Sequence, residues 1–541
     1  MEEIRGTWGI GGIALGPIRV CPRMGRPGPA GPALSPEEEL GRFEAARRGA
    51  MARLEDLYGR ALDQAGEEAA AIFRIHQMLL EDPDYREAVD ASIRRGEGAC
   101  QAVRGAGEQF AALFSAMEDE YMRARADDMR DVTRRVADLL TGAREEDLLG
   151  EEPAILAAEE LSPSQLLGLD RDRLLGLVTR DVGASSHTAI LARAMGVPAV
   201  MGVDIREDWQ GRAALLDGDR SRLYLDPTEE KVAEGEGLAR KAREERSRLD
   251  QWRDRDTVTL DGRRIALLAN IGSGAEGELA RQKGAQGVGL FRSEFLFLDR
   301  ETCPDEEEQF AAYAQVVRAM AGRPVVIRTL DVGGDKQAPC LGLGEDSSPL
   351  GCRGIRLSLA RPDLFRPQLR AILRAGALGP VSLMLPMVTA PWEVRRAREL
   401  LEECRRELHS QGREPGGVRV GIMVETPAAV VLADELALES DFFSLGTNDL
   451  TQYTLAADRC RAGGAYDPRH PAILRMIRHT VEAGHRHGLQ VSVCGDLGAD
   501  PHLTETFLRM GVDSLSVSPE LILPLRESIS RLDLAEECPA E

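Results

Sequence analysis

The chain has 541 residues, 43% of them hydrophobic and 4% aromatic, and is long enough for about three to four domains, or fewer if one is a barrel. Its formal net charge of −22 disfavours nucleic acid and anionic membranes as main partners and is better suited to a basic protein partner. It has no apolar run of the ~20 residues that a membrane span needs, no secretory signal and no CxxC pair among its nine cysteines, which predicts a reduced, cytoplasmic chain.

The first 142 residues contain three patterns. Residues 4–20 are glycine-rich with short apolar stretches, which predicts one or two strands that pair with a sheet formed later in the chain. Residues 21–34 are rich in proline and glycine and are predicted to be a loop. From about Ser35 to about Thr141 the pattern is helical, and Ser35 followed by proline and three glutamates is typical of a helix start.

One apolar stripe in the helical segment has two interpretations. Ile72, Ile75, Met78 and Leu79 recur at helical spacing. This pattern is typical of the core of a helix bundle, and it also fits a docking surface for a partner helix. His76, in the same stretch, is interpreted as a surface or helix-packing histidine rather than as a ligand.

Residues 143–226 return to alternating strands and helices, with a strand predicted at Leu174–Thr179. Together with residues 1–20 they are predicted to form one mixed domain, which the helical residues 21–142 interrupt. Residues 227–256 are rich in Glu, Lys and Arg and are predicted to form a solvated linker helix.

From residue 257 to residue 541 strands and helices alternate regularly. This alternation predicts a (β/α)₈ barrel, with a doubly wound open sheet as the alternative. The strand candidates are residues 265–269, 287–291, 324–329, 355–359, 381–388, 418–424, 442–445, 490–493 and 514–517.

The stretch Val182-Gly-Ala-Ser-Ser-His-Thr-Ala-Ile190 places His187 after a predicted strand and at the start of a predicted helix. Backbone N–H groups at the start of a helix attract phosphate, and the small residues leave the histidine accessible. His187 is therefore a candidate for holding a phosphate that arrives and leaves. On this segment alone, a polar residue at a helix N-terminus is an equally good interpretation.

Side chains that bind anions and metals follow the predicted barrel strands, where barrel enzymes place their chemistry. Several arginines at one mouth require an anion, since guanidinium groups match phosphate and carboxylate. Two carboxylates are the number of ligands that Mg²⁺ usually takes from protein. A phosphorylated carboxylic acid bound through a divalent metal is therefore predicted here. The residues are Arg292, Arg328, Arg353, Arg356, Glu425, Asn448, Asp449, Arg459 and Cys494.

Each of these residues also has a purely structural interpretation. A single arginine at a strand end is usually part of a surface salt bridge, and Glu425 before Thr-Pro could cap a helix. Cys494, by residue type alone, is a small buried side chain. Their joint occurrence at successive strand ends favours a site.

Five motifs in this order resemble enzyme I of the bacterial phosphotransferase system, a phosphoenolpyruvate (PEP)–protein phosphotransferase, over about residues 6–529. The resemblance implies an α/β multidomain chain in which a swivelling phosphohistidine domain with an inserted helical bundle precedes a PEP-binding TIM-type barrel. The motifs are Leu290-Phe-Arg-Ser-Glu-Phe-Leu296, Ile327-Arg-Thr-Leu-Asp-Val-Gly-Gly-Asp-Lys336, Gly421-Ile-Met-Val-Glu-Thr-Pro-Ala428, Phe442-Phe-Ser-Leu-Gly-Thr-Asn-Asp-Leu-Thr-Gln-Tyr-Thr454 and Val493-Cys-Gly-Asp496.

The same resemblance implies the roles of the matching residues. His187 takes the phosphoryl group of PEP, Cys494 protonates the enolate carbon as pyruvate forms, and the phosphohistidine passes its group to the carrier protein HPr, which drives sugar uptake. It also implies Mg²⁺ as cofactor, a homodimer through the barrel, and docking of HPr on residues 21–142 at the apolar stripe. Arg292, Arg328, Arg353 and Arg459 are expected to hold PEP, Glu425 and Asp449 to bind Mg²⁺, Asn448 to contact the phosphate, and Lys336 to add a further anion contact.

The chain departs from the family near its histidine, where Gly-Gly-Arg-Thr-Ser-His is usual. Val182 replaces a glycine, and Ala184 replaces an arginine that could help to hold the phosphate. Leu166 stands where family members often have a threonine, and Asp496 where they usually have glutamate. These changes leave the reaction rate and the choice of partner open.

Three alternatives compete with this interpretation. Pyruvate phosphate dikinase and PEP synthase carry a large nucleotide-binding module ahead of the histidine, whereas 186 residues precede His187 here. A regulatory protein that only binds PEP would fit the altered histidine loop, but it would have no need of Cys494 as a carbon acid. A carrier other than the sugar-system HPr, one that serves nitrogen control or a dihydroxyacetone kinase, is the third alternative.

Overall fold

The structure is a computed structural model of the chain, which forms two compact units, Met1–Glu245 and Arg246–Glu541. The loop predicted at residues 21–34 falls almost entirely outside the described residues. The described residues are 1–21, 34–65, 67–115, 120–142, 148–150, 152–159, 161–180, 187–298, 300, 302–332, 338–342, 350–458 and 466–535.

The first unit combines one sheet with a group of long helices, and a further helix leads out of it. In chain order the elements are β1 (Glu2–Arg5), β2 (Trp8–Ile10), β3 (Ile13–Val20), α1 (Pro36–Ala65), α2 (Glu67–Glu81), α3 (Pro83–Arg94), α4 (Ala99–Ser115), α5 (Glu120–Thr141), β4 (Ala154–Ala158), α6 (Pro163–Gly168), β5 (Leu174–Thr179), α7 (His187–Ala194), β6 (Ala199–Met201), β7 (Ala213–Asp217), β8 (Arg222–Leu225) and α8 (Glu229–Asp250).

The sheet of the first unit has the strand order β1-β8-β7-β3-β4-β5-β6-β2. Strands β3, β4, β5 and β6 are parallel neighbours, whereas β1, β2, β7 and β8 pair antiparallel. The first 20 residues therefore do pair with strands formed much later in the chain, as their pattern predicted. Every residue of β4 is buried, as expected of a central strand that is covered on both faces.

The apolar stripe on α2 divides between two environments. Ile72 is buried, whereas the side chain of Met78 is 69% exposed. Phe73, next to Ile72, belongs to the apolar core that α1, α4 and α5 share. His76 is fully buried, so the helix-packing interpretation holds for it and the surface one is wrong.

The second unit contains the regular alternation predicted from residue 257 onward. Its elements are β9 (Ala266–Ile271), α9 (Gly274–Gln282), β10 (Val288–Arg292), α10 (Glu306–Ala319), β11 (Val325–Arg328), α11 (Gly354–Ala360), α12 (Pro362–Ala375), β12 (Val381–Leu385), α13 (Pro391–Ser410), β13 (Val418–Val424), α14 (Pro427–Val431), α15 (Ala433–Ala437), β14 (Phe442–Leu445), α16 (Thr447–Leu455), α17 (Pro471–Arg486), β15 (Gln490–Val493), α18 (Thr504–Arg509), β16 (Ser514–Val517) and α19 (Ile522–Ile529).

These strands form a closed barrel in the order β10-β11-β12-β13-β14-β15-β16-β9, and every neighbouring pair is parallel. The predicted (β/α)₈ fold is confirmed, and the open doubly wound sheet is excluded. Apolar side chains from the strands and the surrounding helices form one continuous core. Within the described ranges no helix is long and apolar enough to cross a membrane.

One strand prediction is wrong. Residues 355–359 alternate apolar and polar side chains, but they lie in the helix α11. The barrel closes without them, because β11 pairs directly with β12. In so short a segment Ile355, Leu357 and Ser358 also form the buried face of a helix, so that alternation alone does not separate the two structures.

A buried arginine connects the last helix of the barrel to the chain segment that precedes the first barrel strand. Arg526 on α19 is fully buried and donates hydrogen bonds to the carbonyl oxygens of Trp252, Arg253 and Gly284 and to the hydroxyl of Thr257. One planar guanidinium group thus satisfies acceptors from three parts of the chain.

We expect Arg526→Lys to destabilise the second unit by about 2–4 kcal/mol, because a single ammonium group cannot reach the same acceptors and leaves buried carbonyl groups without donors. Scanning calorimetry of the full chain measures this as a lower transition temperature. Arg264→Lys is the matched control, since the Arg264 side chain is 80% exposed and pairs only at the surface. Equal transition temperatures for the two variants would contradict the structural role of Arg526.

Candidate functional site

The candidate site lies at the carboxyl ends of the barrel strands. β10 ends at Arg292 and β11 ends at Arg328, and the two residues are directly paired in the parallel register. Both strands consist mainly of buried apolar residues before these arginines, so that each strand is fixed in the barrel wall and delivers its last side chain to the mouth.

Arg328 is held by carboxylates but keeps hydrogen-bonding capacity. Its Nη2 donates to Oε1 of Glu294 at 2.7 Å, and its Nη1 lies 3.3 Å from Oδ2 of Asp331. Burial lowers the pKa of Arg328, but the nearby Glu294, Asp331 and Glu425 outweigh it and raise the pKa above its usual value, so the group stays charged. The buried Nε has no hydrogen-bond partner among the described residues.

Arg353 lies immediately before α11 and reaches across the mouth. Its Nε and Nη2 donate to the two carboxylate oxygens of Asp331 at 2.9 and 2.8 Å. Its Nη1 lies 3.3 Å from Oδ1 of Asp449 and 3.3 Å from the hydroxyl of Tyr453, both on α16. Asp331 is therefore shared by two arginines, and Arg353 connects the end of β11 to the helix that follows β14.

Glu425 follows β13 and is only 1% exposed. Its Oε1 accepts a hydrogen bond from the backbone N–H of Met387 at 2.7 Å. Gly446 makes room for this side chain, because a Cβ at that position would lie 2.7 Å from Oε2 of Glu425. Burial, followed by the charges of Asp449 and Asp331, raises the pKa of Glu425 well above its usual value.

These carboxylates fit a divalent cation. Among the described residues no group of three or more His, Cys, Asp or Glu side chains could hold a metal by itself. Glu425 and Asp449 provide two carboxylates, which is the number that Mg²⁺ usually takes from protein, with substrate oxygens and water completing its shell. A cation held by these residues would offset the repulsion from Asp449 that, after burial, contributes to the raised pKa of Glu425.

Cys494 follows β15 and is buried at the mouth. Its Sγ donates a weak hydrogen bond to the carbonyl oxygen of Leu445 at 3.5 Å, and it packs with Leu290, Met384 and Met423. Burial raises the pKa of the thiol to about 11. The thiol therefore keeps its proton at neutral pH and can serve as an acid.

The remaining predicted site residues differ in how far the structure describes them. Arg292 lines a cavity of about 420 Å³ together with Phe295 and other strand-end residues. Asn448 lies beside Asp449 in the first turn of α16. Arg356, on α11, is exposed.

Other predicted residues fall outside the described parts. Lys336 and Arg459 do so entirely, as do the substituted loop residues Val182 and Ala184. His187 is the first residue of α7 in the first unit, but its side chain lies outside the description. The same is true of the side chain of Asp496, whereas Leu166 is a buried core residue of α6.

Three family models of PEP-utilising enzymes match the chain: the PEP-binding domain over residues 246–534, the N-terminal domain over residues 5–125 and the mobile domain over residues 150–264. The chain belongs to the PEP-utilising enzyme family. This membership confirms the resemblance that the motifs indicated.

Relatives in this family match along most of their length. A protein of Haemophilus influenzae is 39% identical over 508 residues, which is 92% of this chain and 88% of the relative. A protein of Bacillus sp. (strain S) is 41% identical over 505 residues, which is 92% of this chain and 87% of the relative. Both are named phosphoenolpyruvate-protein phosphotransferase. A solution structure of enzyme I (nEIt) is 28% identical, covers 44% of this chain and 100% of that chain, and has a TM-score of 0.37.

Two acidic residues at the barrel mouth were not predicted as site residues from the sequence. Glu294 and Asp331 are both buried, and they neutralise arginines that would otherwise repel one another. Each lies two or three residues after a strand-end arginine. An acid at that distance from Arg292 or Arg328 was the signal that could have identified them.

The raised pKa of Cys494 predicts slow reaction with thiol reagents at neutral pH. A thiol of pKa about 11 has roughly 100-fold less thiolate at pH 8 than an ordinary thiol, and burial slows the reagent further. Alkylation with iodoacetamide, followed by peptide mass spectrometry, should therefore modify the exposed Cys352 well before Cys494. The rate at Cys494 should rise about tenfold per pH unit up to its pKa. A rate at pH 8 equal to that of Cys352 would show that Cys494 is not the protonated, buried acid described here.

Proposed function

We propose that this chain is a PEP–protein phosphotransferase that transfers the phosphoryl group of PEP to its own His187, releases pyruvate and passes the group on to a histidine of the carrier protein HPr in sugar uptake. The observation that carries the proposal is the composition of the barrel mouth. Charged arginines, a pair of carboxylates suited to a cation and a protonated thiol meet there in one family member.

The arginines bind the substrate. PEP carries a phosphate and a carboxylate, and both match guanidinium groups in bidentate geometry. Arg328 contributes its buried Nε, Arg292 lies beside it at the end of the neighbouring strand, and Arg353 shares the carboxylate of Asp331 with it. Arg459, Lys336 and Asn448 complete the binding set by resemblance to the family.

Glu425 and Asp449 would hold Mg²⁺, which when bound supplies positive charge that neutralises the phosphate oxygens of PEP. The side chains of the site are fixed before substrate arrives: Glu425 by the Met387 N–H, and Asp449 by Arg353. Such preorganised charge stabilises the transition state without reorganisation during the reaction.

The transfer exchanges one bond to phosphorus for another. The neutral imidazole of His187 forms an N–P bond while the bond between phosphorus and the enol oxygen of PEP breaks. The enolate that leaves takes a proton at carbon from the Cys494 thiol and becomes pyruvate, and the thiolate regains its proton from water. A thiol with a pKa of about 11 holds the proton until the enolate forms.

The domain roles are part of the proposal. Residues 1–20 and 143–226 form the phosphohistidine domain, residues 21–142 the HPr-binding bundle, residues 227–256 the linker and residues 257–541 the PEP-binding barrel. The exposed Met78 on α2 supports a contact with HPr, whereas the buried Ile72 belongs to the bundle core. The homodimer through the barrel and the cytoplasmic location remain predictions.

The first test is transfer of label. With Mg²⁺ and phosphate-labelled PEP but no nucleotide, the chain should acquire an acid-labile, base-stable label on His187 with one pyruvate released per label. His187→Ala should lose the label and still bind PEP at the barrel. His479→Ala, which alters a histidine of α17 outside the mouth, is the control and should be labelled normally. Binding of PEP without label would favour the regulatory alternative, and failure to pass label to HPr would favour a non-sugar carrier.

Removal of the metal tests the carboxylate pair. EDTA should lower the rate of labelling by about 100-fold or more, because several kcal/mol of charge stabilisation are lost. Glu425→Gln should have a similar effect that added Mg²⁺ does not reverse. Glu399→Gln, at a side chain that is 63% exposed on α13, is the matched control. Unchanged labelling in EDTA would remove the metal-binding roles of Glu425 and Asp449.

A further inference from the structure

Buried polar side chains connect the helix bundle to the helix that begins at His187. His76 on α2 is fully buried, with its Nε2 3.1 Å from Oδ1 of Asp128 and its Nδ1 3.7 Å from Oδ2 of Asp131. Asp131, also buried, accepts a hydrogen bond from the hydroxyl of Ser164 at 2.9 Å. Asp128 and Asp131 lie on α5 and Ser164 on α6, so these contacts join three helices.

The hydrogen bonds along this path have a fixed direction. A carboxylate only accepts, so the single hydroxyl proton of Ser164 points to Asp131. The hydroxyl of Ser162, 2.9 Å from that of Ser164, must therefore donate to it. Ser162 in turn accepts the backbone N–H of Gln165 at 3.3 Å and caps α6. Every proton in this row points toward Asp131.

The segment just before α6 also contacts the first turn of α7. The carbonyl oxygen of Leu161, immediately before Ser162, accepts a hydrogen bond from the hydroxyl of Thr188 at 2.5 Å. Thr188 is buried and directly follows His187. The segment that contains Leu161 and Ser162 is thus held by Asp131 on one side and holds the start of the His187 helix on the other.

Burying this chain of polar side chains, from His76 through Asp131 to Ser164 and Ser162, lowers stability unless the hydrogen bonds fully compensate for the lost hydration. Burying a carboxylate costs several kcal/mol unless hydrogen bonds compensate, and apolar side chains of similar volume usually pack as well. Asp128 is paired with both His76 and Arg125, whereas the Nδ1 of His76 lacks a hydrogen-bond partner among the described residues. Buried polar networks do, however, fix one arrangement of the elements that they join.

We propose that Asp131 and His76 are positioning residues for phosphoryl transfer, which act through Ser164, Ser162 and the Leu161 carbonyl on Thr188 and so set the position of His187. This inference rests on the proposed function, because it requires His187 to be the phosphoryl acceptor. It concerns both transfer steps of His187, since the same histidine accepts the group from PEP and donates it to the carrier. It does not involve the PEP site of the barrel.

The test compares Asp131→Asn with wild type in the full chain. Rapid-quench measurements should show that labelling of His187 by PEP and transfer of the label to HPr are both slowed about 10- to 100-fold, because small displacements of a reacting group cost this much. The KM for PEP should remain within about twofold, since the barrel arginines are untouched. Asp127→Asn is the matched control on the same helix, since the Asp127 side chain is 76% exposed, and should react at the wild-type rate.

A second pair of variants separates positioning from folding. Thr188→Val keeps the shape of the side chain but loses the hydroxyl that donates to Leu161, and should show the same slow transfer. Thr188→Ser restores the hydroxyl and should recover most of the rate. Wild-type transfer rates in Asp131→Asn and Thr188→Val, with only a lower melting temperature, would overturn the inference and leave the proposed function intact. Absence of label in wild type would instead overturn the proposed function itself.

Discussion

Asp331 is shared by two arginines, and this buried contact joins the end of β11 to the segment before α11 at the barrel mouth. It receives two hydrogen bonds from Arg353 and lies within ion-pair distance of Arg328, which Glu294 holds from the other side. A buried charge costs several kcal/mol unless it is well paired, so the two strand ends and the segment before α11 that carry these groups have little freedom to move apart. Arg328 and Arg353 are thereby fixed before any ligand arrives.

The balance of charge at the mouth affects how strongly the cation and the substrate favour each other's binding. Among its described residues, the carboxylates of Glu294, Asp331, Glu425 and Asp449 outnumber the guanidinium groups of Arg292, Arg328 and Arg353. A trianionic substrate brings further negative charge close to these carboxylates. On the proposed function, cation and substrate each make the site more favourable for the other, and they are expected to bind cooperatively.

The sequence predicted the barrel well because its strands are short, mostly apolar and largely buried, and because amphipathic helices separate most of them. Four strands have the predicted limits, among them Val418–Val424 and Phe442–Leu445. The sequence did not predict the helix α11, because an alternation of apolar and polar side chains over five residues fits a strand and a short helix equally well. The packing of the surrounding structure determines which of the two forms. Strand-end position identified Arg328, Glu425 and Cys494. It did not identify Asp331, which lies three residues after the strand-end Arg328 and whose second contact, with Arg353, is 22 residues away in the sequence.

The strand order of the first unit also determines when its strands can pair during synthesis of the chain. β3 has β4 and β7 as neighbours, and the nearer of them, β4, begins at Ala154, after the entire helical segment. At a ribosomal rate of about 5–20 residues per second, roughly 7–27 seconds pass between the synthesis of β3 and that of its first partner strand, β4. Meanwhile α1 and α2 can already pack against each other. The nascent chain therefore has unpaired strand edges while the helical segment is made, and in this interval it most needs protection from aggregation.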